Sequence, residues 1–326
     1  MPTTMKINRR SALALAASAV ILPSMTHAQS KNVRIGWTPS ADVPQIAVAN
    51  EQNLWKAKGL DVVSTPFPSG REALEALIGG GIDIAVIAEF PAVTAGLRSQ
   101  PIAAICDISR YRANRIVTTT DTPTWESLAG KKFGVTVGTN AQFQLETAMA
   151  EAKVTGTLVN AAPFDLLPTL VRKDVDAAAM FPAFVPRSRE SLGGRYKELL
   201  TPSYVTHFLL VATTAFVRSN SAQVDGVLAT MLAADEVIES QPRAAQEAVV
   251  KATSGALKLA AVEANWRDYE FRTVLQDDVA KLMQDEAQWI VSKGLVKSTT
   301  SPANAVKAVL NPDNLRKLAP QRVALR

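Results

Sequence analysis

Cysteine and histidine are nearly absent from this chain. Its 326 residues include one cysteine, Cys106, and two histidines, His27 and His207. One cysteine excludes an intramolecular disulfide framework, and the sequence has neither an HExxH motif nor a paired CxxC motif. Cys106 and His207, far apart in the sequence, are a poor basis for nucleophilic catalysis or for a zinc site. We therefore expect a protein that is not an enzyme and that has no metal or cofactor.

The chain also lacks a large excess of either charge. The chain has 35 Lys and Arg residues against 30 Asp and Glu, a formal net charge of +5, and 47% of its residues are hydrophobic. This composition is typical of a globular protein and excludes a disordered or collagen-like chain. The small basic excess would favour a nucleic-acid or membrane partner only if it belonged to the folded part.

Most of that excess lies in an N-terminal segment with the features of a secretory signal peptide. The first ten residues hold three cations and no acid, and a run of 12 small and apolar residues follows at 11–22. The sequence Thr-His-Ala at 26–28 then places small residues at the positions that a signal peptidase reads. The run is shorter than the ~20 residues of a membrane-spanning helix. We expect cleavage after Ala28, which removes residues 1–28, and export to the periplasm. The paired arginines partly fit the twin-arginine pattern, so both that route and the Sec route stay open.

Without its leader the chain loses three cations and no acid, and its formal net charge falls from +5 to +2. The indication of a nucleic-acid partner disappears with them. We expect no nucleic acid among the partners.

Apolar, strand-like segments alternate with helix-periodic segments from residue 32 to residue 216. The alternation predicts a parallel sheet with helices on both faces, an α/β fold. It restarts after a polar, proline-containing stretch at 118–124. We therefore predict two lobes, with residues 31–115 and 207–326 in lobe 1 and residues 116–206 inserted as lobe 2.

The chain after Ser219 is helical in pattern. Val224, Val227, Leu228 and Met231 form one apolar stripe at helical spacing. We predict that these C-terminal helices pack on lobe 1 and that this third of the chain has no strands.

Candidate binding residues lie in the turns that follow the predicted strands. In open α/β sheets, ligands bind beyond the carboxyl ends of the strands, where helix starts present free N–H groups. In this chain such turns recur in both halves. The predicted ligand-binding residues are Trp37, Thr38, Ser69, Gly70, Arg71, Glu89, Phe90, Thr139, Asn140, Gln142, Phe181 and Pro182.

Taken singly, Ser69, Thr139 and Asn140 also fit as ordinary helix caps, and each aromatic residue also fits as core. Recurrence in both lobes favours a site. Converging helix starts together with Arg71 favour an anion, and the nearby aromatic residues indicate an organic body attached to it. His207 fits a packed structural residue better than a ligand contact.

Several stretches resemble one known family of proteins. They are VRIG at 33–36, EQNLWKAKGLDV at 51–62, PFPSG at 66–70, ALIGGGID at 76–83, LAGKKFGV at 128–135, VDA at 175–177, NWRDYEF at 265–271 and WIVSKGL at 289–295. Together they resemble the nitrate/taurine/aliphatic-sulfonate family of periplasmic ABC-transporter substrate-binding proteins, also described as NMT1/THI5-like. The resemblance extends over nearly all of the chain after the leader.

The resemblance implies a two-lobed periplasmic-binding-protein fold of type II-like form, with a hinged cleft and C-terminal helices on lobe 1. It implies a small-molecule ligand, an ABC permease in the inner membrane and its ATPase as partners. One departure concerns Phe90, which stands in Ala88–Pro91 where many members have Gly-Asp-Thr-Pro or Gly-Ser-Ser-Pro. This aromatic side chain would fill space that a taurine-like headgroup needs.

Three functions follow as hypotheses. The first is a periplasmic receptor for a small organic anion, a sulfonate or carboxylate. The alternative keeps the fold but binds a neutral or cationic heterocycle, such as a thiamine-precursor pyrimidine, with Glu89 paired to an amine. The third is an enzyme, because relatives that synthesise the thiamine pyrimidine share this architecture, but that chemistry needs a reactive histidine and a cysteine cluster that the chain lacks.

Overall fold

The computed structural model describes residue 1 and residues 32–325. Apart from Met1, the predicted signal peptide lies outside the described residues. The strands of the described part, in chain order, are β1 (Asn32–Trp37), β2 (Asp61–Pro66), β3 (Ile84–Ala88), β4 (Ile102–Tyr111), β5 (Arg115–Thr118), β6 (Lys132–Val135), β7 (Thr157–Asn160), β8 (Ala177–Met180), β9 (Lys197–Leu200), β10 (Thr206–Thr213), β11 (Tyr269–Gln276) and β12 (Val323–Ala324).

Helices connect and cover these strands. The helices of the described part are α1 (Pro44–Glu51), α2 (Leu54–Ala57), α3 (Gly70–Ile78), α4 (Glu89–Leu97), α5 (Asn140–Glu151), α6 (Leu166–Val171), α7 (Val185–Leu192), α8 (Thr214–Ser219), α9 (Ser221–Ser240), α10 (Pro242–Ala252), α11 (Leu259–Asn265), α12 (Asp277–Ser292), α13 (Pro302–Val309) and α14 (Asp313–Leu318). The predicted α/β fold is confirmed.

Within the described residues the strands form two sheets. A seven-stranded sheet has the order β12-β11-β4-β10-β3-β1-β2, and a five-stranded sheet has the order β7-β6-β8-β5-β9. We call the first sheet with its helices the first lobe, and the second sheet with its helices the second lobe. The strands β1, β2 and β3 pair in parallel, as predicted. The prediction of a parallel sheet is wrong for the rest of this sheet, because β10 returns from the second lobe and runs antiparallel between β3 and β4.

The burial of β4 and the bounds of α3 both have simple physical reasons. All ten residues of β4 are buried, as expected for a central strand covered on both faces. Helix α3 begins at a serine cap, with Ser69 Oγ accepting a hydrogen bond from the Glu72 N–H, and it ends before Gly80, which has a φ of 74°. That positive φ is why a glycine follows the helix, so the predicted helix end at residues 79–81 is confirmed.

The C-terminal helices pack on the first lobe, as predicted. Helices α9 and α10 contact α1, and α12 and α13 contact α4. The predicted apolar stripe of α9, which includes Val224 and Met231, is buried in the core of this lobe.

The prediction that this third of the chain has no strands is wrong. Strand β11 pairs antiparallel with β4, with Tyr269 opposite Tyr111. Its sequence, YEFRTVLQ, is rich in aromatic and β-branched residues, which favour a strand. It also covers the edge of β4, whose backbone groups would otherwise be unpaired.

Two short segments carry the chain between the sheets, one from β4 to β5 and one from β9 to β10. Asn114, in the first segment, joins them. Its Nδ2 donates hydrogen bonds to the carbonyls of Tyr111 (3.1 Å) and Tyr204 (3.2 Å), and its Oδ1 accepts one from the Thr206 hydroxyl (3.1 Å). The two crossings are therefore held side by side.

Candidate functional site

A cavity of about 560 Å³ lies between the two lobes. The first lobe contributes the turn after β1 and the helices α3 and α4, and the second lobe contributes the turns after β6 and β8. These walls follow the ends of strands, which is where open α/β sheets bind their ligands.

Nine of the twelve predicted ligand-binding residues line this cavity. They are Thr38, Ser69, Gly70, Arg71, Phe90, Thr139, Asn140, Phe181 and Pro182. The other three, Trp37, Glu89 and Gln142, lie outside its lining. For the nine, contact with a ligand stays a prediction.

Trp37 and Gln142 have structural surroundings instead. Trp37 ends β1 with 3% of its surface exposed, inside the apolar core of the first lobe. Gln142 lies in the first turn of α5, where its Oε1 accepts a hydrogen bond from the Gly138 N–H at 2.8 Å and its Nε2 donates to Glu146 at 2.7 Å. Gln142 therefore fixes the turn before α5 and stands behind the cavity wall.

Glu89 is fully buried at the first residue of α4. Its Oε2 accepts a hydrogen bond from the His207 N–H at 2.8 Å, and its Oε1 accepts one from the Tyr204 hydroxyl. Burial raises the pKa of Glu89, and the Tyr204 hydroxyl opposes that rise. This position behind Phe90 gives no support to the predicted pairing of Glu89 with a ligand amine.

A second buried carboxyl faces Glu89. Glu286 of α12 is fully buried, within hydrogen-bonding reach of the Glu89 carboxyl and of the Tyr204 hydroxyl. Burial, together with the neighbouring Glu89 carboxyl, raises the pKa of Glu286 well above its ordinary value. The two acids therefore form a pair in which at least one favours the protonated form.

His207 is packed in the same region, in agreement with its predicted structural role. Its Nδ1 lies 2.7 Å from Asp107 Oδ2, which also accepts a hydrogen bond from Arg110 Nε at 2.9 Å. Cys106 is fully buried, and burial raises the pKa of its thiol well above the ordinary value. His207 and Cys106 lie outside the cavity lining, so neither is placed to act on a ligand there.

Two helix starts from different lobes line the cavity. Ser69 caps α3, with its Oγ 3.4 Å from the Glu72 nitrogen. Thr139 precedes α5, but its hydroxyl donates to the Thr136 carbonyl at 2.6 Å and does not cap the helix. The first N–H groups of a helix lack intrahelical acceptors and together carry roughly half a positive charge. Two such ends at one cavity favour an anion.

Thr38 supplies an unpaired polar atom at this cavity. Its Oγ1 is buried and has no hydrogen-bond partner among the described residues. A buried polar atom without a partner costs about 1–3 kcal/mol, so such atoms are rare in folded proteins. A ligand group that pairs with the Thr38 hydroxyl would remove this cost.

Charged side chains line the cavity with both signs. Arg71 is 83% exposed and its Nε lies 3.1 Å from Glu75 one turn along α3. Arg98 is exposed just beyond α4 and forms no ion pair with a described residue. Solvent screening weakens the attraction between Arg71 and Glu75, so both arginines are available to an anionic ligand.

Asp42 is an acidic group that the sequence did not single out. It is buried in the turn after β1, where it accepts hydrogen bonds from the hydroxyls of Tyr269 (2.6 Å) and Ser40 (3.0 Å). Burial raises the pKa of Asp42, and these two hydrogen bonds oppose the rise. Asp42 gives the cavity one acceptor for a donor group on a ligand.

Further aromatic residues that the sequence did not single out widen the apolar part of the lining. Phe164 and Phe184 of the second lobe contact each other edge to face at 5.1 Å, and Phe208 of β10 joins the lining from the first lobe. Phe164 is 64% exposed, which is unusual for a large aromatic side chain. The sequence could have indicated Phe164 as a site residue, because it too lies in a turn between a strand and a helix.

Other kinds of site find no support in the described residues. Between residues 32 and 325, no group of three or more His, Cys, Asp or Glu side chains is arranged to hold a metal ion. Over the same range, no helix has the length and apolar character needed to cross a membrane.

Comparisons with solved structures show the fold. The periplasmic aliphatic sulphonate binding protein SsuA of Escherichia coli is 21% identical, with a TM-score of 0.74 over 85% of this chain and 97% of that one. The alkanesulfonate-binding protein SsuA of Xanthomonas axonopodis pv. citri, bound to MOPS, is 19% identical, with a TM-score of 0.69 over 86% and 99%. The predicted two-lobed periplasmic-binding-protein fold is confirmed.

Sequence comparisons identify the family. A binding protein of Brucella abortus strain 2308 is 23% identical over 313 residues, which cover 91% of this chain and 96% of that protein. The sequence model described as NMT1/THI5-like matches residues 40–245, more than half of the 326 residues. The chain therefore belongs to the NMT1/THI5-like family.

Proposed function

We propose that this protein is the periplasmic substrate-binding component of an ABC importer and that it binds a small organic anion, a sulfonate or carboxylate, in the cavity between its lobes. The family supports the binding role, and the signal peptide predicted from the sequence supports the location. On this proposal the protein delivers its ligand to a permease in the inner membrane that is driven by an ATPase.

One observation supports an anionic ligand. The starts of α3 and α5, which belong to different lobes, line a single cavity. An anion between them meets backbone N–H groups and the positive ends of two helix dipoles, which stabilise negative charge. Arg71 and Arg98 add two cations to the lining, and the Thr38 hydroxyl can pair with an anion oxygen.

The same placement explains how binding would be coupled to closure. A ligand held by α3 in one lobe and by α5 in the other draws the lobes together, and the Asn114 crossings are the segments about which they would turn. The closed form would then be the one that the permease recognises. Ligand binding shifts this equilibrium only by its differential affinity for the closed form.

Asp42 favours a second candidate function. A neutral or cationic heterocycle could donate a hydrogen bond to this buried carboxyl and stack on the phenylalanines of the lining. Asp42 takes the role that the sequence assigned to Glu89, because Glu89 is outside the lining. The two candidates differ in the ligand charge that binding requires.

Thermal unfolding with a ligand panel tests the proposal. Alkyl and aryl sulfonates, aryl carboxylates and nitrate would be compared with heterocyclic amines, since any ligand that binds the folded state raises its stability. We expect anions to raise the unfolding temperature and amines to leave it unchanged. Stabilisation by amines alone would favour the second candidate, and no stabilisation by any anion would contradict the first.

A pair of variants separates the cavity cation from ordinary surface charge. Arg71→Ala should weaken an anionic ligand by about tenfold, since hydrogen bonds to charged groups contribute about 1.5–3 kcal/mol when buried and less when exposed. Arg243→Ala is the control, because Arg243 is also an exposed arginine that pairs with an acid four residues along its own helix, as well as with Glu263, and it lies outside the lining. Equal affinities of the two variants, measured by isothermal titration calorimetry, would remove Arg71 from the site.

A further inference from the structure

The cavity continues beyond the cleft along the full length of two helices. Its lining on α3 consists of Gly70, Arg71, Leu74, Glu75 and Ile78, and its lining on α4 and the residue after it consists of Phe90, Pro91, Thr94, Ala95 and Arg98. Both sets follow the spacing i, i+1, i+4, i+5, i+8, which is one face of a helix from its first turn to its last. At 1.5 Å per residue, eight steps span about 12 Å.

A groove with an apolar floor therefore runs between α3 and α4. We call it the α3–α4 groove and define it by Leu74, Ile78, Val86, Thr94, Ala95 and Phe208. Val86 belongs to β3 and Phe208 to the neighbouring strand β10, so the two central strands form the floor. Ile78, at the far end, is 44% exposed, whereas Leu74 and Ala95 inside the groove are buried.

The polar groups of the groove that are free to meet a ligand lie at its two ends, since Glu75 pairs with Arg71 and the Thr94 hydroxyl donates to the Phe90 carbonyl. The cleft end has the start of α3 with Arg71, and the far end has Arg98 and Gln100. The side chains between them, such as Leu74, Val86 and Ala95, are apolar. A cavity of about 560 Å³ is also within the range that holds a drug-sized molecule and is many times the ~30 Å³ of one water molecule.

From this geometry we propose that the ligand is an amphiphilic anion whose apolar chain lies in the α3–α4 groove. The proposal rests on the proposed function for the anionic head, which the helix starts hold in the cleft. The groove adds the length of the apolar part, about 10 Å or eight to ten carbons of an extended chain, set by the ~12 Å of the two helices. Short sulfonates such as the two-carbon one would leave the groove unfilled.

A chain-length series tests the length of the apolar part. Affinities of straight-chain alkanesulfonates with two, four, six, eight and ten carbons would be measured by isothermal titration calorimetry below their micelle concentrations. Each methylene buried in an apolar site strengthens binding roughly fourfold, so octanesulfonate should bind about two orders of magnitude more tightly than butanesulfonate. The gain should stop once the chain reaches the end of the groove. Equal affinity from four to ten carbons would overturn the proposal.

Variants show whether the chain lies in this groove. Thr94→Phe places a ring between the helices. The Thr94 hydroxyl donates a hydrogen bond to the Phe90 carbonyl of its own helix, so the substitution removes no hydrogen bond between elements. The ratio of the octanesulfonate and butanesulfonate affinities should fall at least tenfold. Ile78→Ser should lower the affinity for decanesulfonate by about threefold to tenfold. The control is Val63→Ser, since Val63 is also an exposed apolar residue but lies outside the lining, and it should change neither the affinity ratio nor the decanesulfonate affinity. An unchanged ratio in Thr94→Phe and Ile78→Ser would overturn the proposal.

Failure of the groove and failure of the anion site give different results. Straight-chain alcohols of the same lengths serve as neutral probes. If alcohols and sulfonates bind equally well with the same dependence on length, the groove stands and the proposed anion site is contradicted. If sulfonates bind without dependence on length, the anion site stands and the groove is contradicted.

Discussion

Replacing the buried Glu286 with glutamine should raise the free energy of unfolding at pH values above 4.5. Glu286 is fully buried and faces the buried carboxyl of Glu89, so an ionised Glu286 is both desolvated and repelled by a second acid. Burial raises the pKa of Glu286 well above the ordinary value of 4.5. A glutamine of nearly the same shape carries no charge and can donate a hydrogen bond to Glu89.

The direction of the pH dependence follows from proton binding. Below pH 4.5 the carboxyl is protonated in both the folded and the unfolded protein, and it has no effect on the free energy of unfolding. Between pH 4.5 and the raised pKa of the folded protein, the unfolded chain binds fewer protons than the folded protein. Stability therefore falls as the pH rises through this window, and Glu286→Gln should remove that fall.

The magnitude follows from the same proton binding. Within the window, one extra proton on the folded protein lowers its stability by about 1.4 kcal/mol per pH unit, so the variant should gain that much per pH unit and nearly nothing at pH 4.5. For a protein of this size, 1 kcal/mol corresponds to about 2 °C in the unfolding temperature, which gives a gain of about 3 °C per pH unit within the window.

Calorimetric unfolding of the wild type and the variant at pH 4.5, 6 and 8 measures this difference directly. Asp285→Asn is the matched control, since Asp285 is the adjacent acid of the same helix but pairs with Lys281 on the surface. Such exposed pairs contribute at most about 0.5 kcal/mol. A Glu286→Gln protein that has the wild-type pH profile, or that unfolds at a lower temperature at pH 8, would refute the reasoning.

Two further predictions concern the cavity wall. Thr38→Val should raise the stability of the free protein by about 1 kcal/mol, because it removes an unpaired buried hydroxyl, and it should weaken ligand binding. Calorimetry measures both effects, and a loss of stability without a loss of affinity would contradict the prediction. Gly70→Ala should weaken binding, because the new Cβ would lie 3.2 Å from the Ile87 Cα and push the start of α3 outward. Gly194→Ala, with no atom within 4 Å of its Cβ, is the control, and equal affinities of these two variants would exclude the displacement.

The alternation of strands and helices in the sequence predicted much of the fold. Parallel strands such as β3 are short continuous apolar runs. The serine cap of α3 and the glycines that follow the helix are also recognisable in the sequence. Strand β11 was missed because its pairing with β4, a long-range contact, decides its conformation. Local pattern cannot show which edge of a sheet a later segment will cover.

The site was predictable as a set of turns but not in the directions of its side chains. Thr38 and Trp37 are neighbours in sequence, yet one lines the cavity and the other is in the core. Glu89 and Phe90 divide in the same way at the start of α4. Which of two neighbours faces the cleft depends on what packs behind them, here the Tyr204 hydroxyl and α12.

Arg98 and Ile78 were missed for a different reason. Each lies eight residues after a predicted site residue, near the end of the same helix. Helical periodicity could therefore have identified both residues. The prediction from strand ends stops at the first turn of each helix, and only the packing of α3 beside α4 shows that the cavity continues to their last turns.

A matched pair of ligands tests the anion site most directly. Octanoate and octanamide have the same chain and nearly the same shape, and they differ in charge. Isothermal titration calorimetry at pH 7 should show octanoate binding at least tenfold more tightly, because the starts of α3 and α5 favour negative charge in the cavity. Equal affinities, or tighter binding of the amide, would contradict an anion-binding cleft.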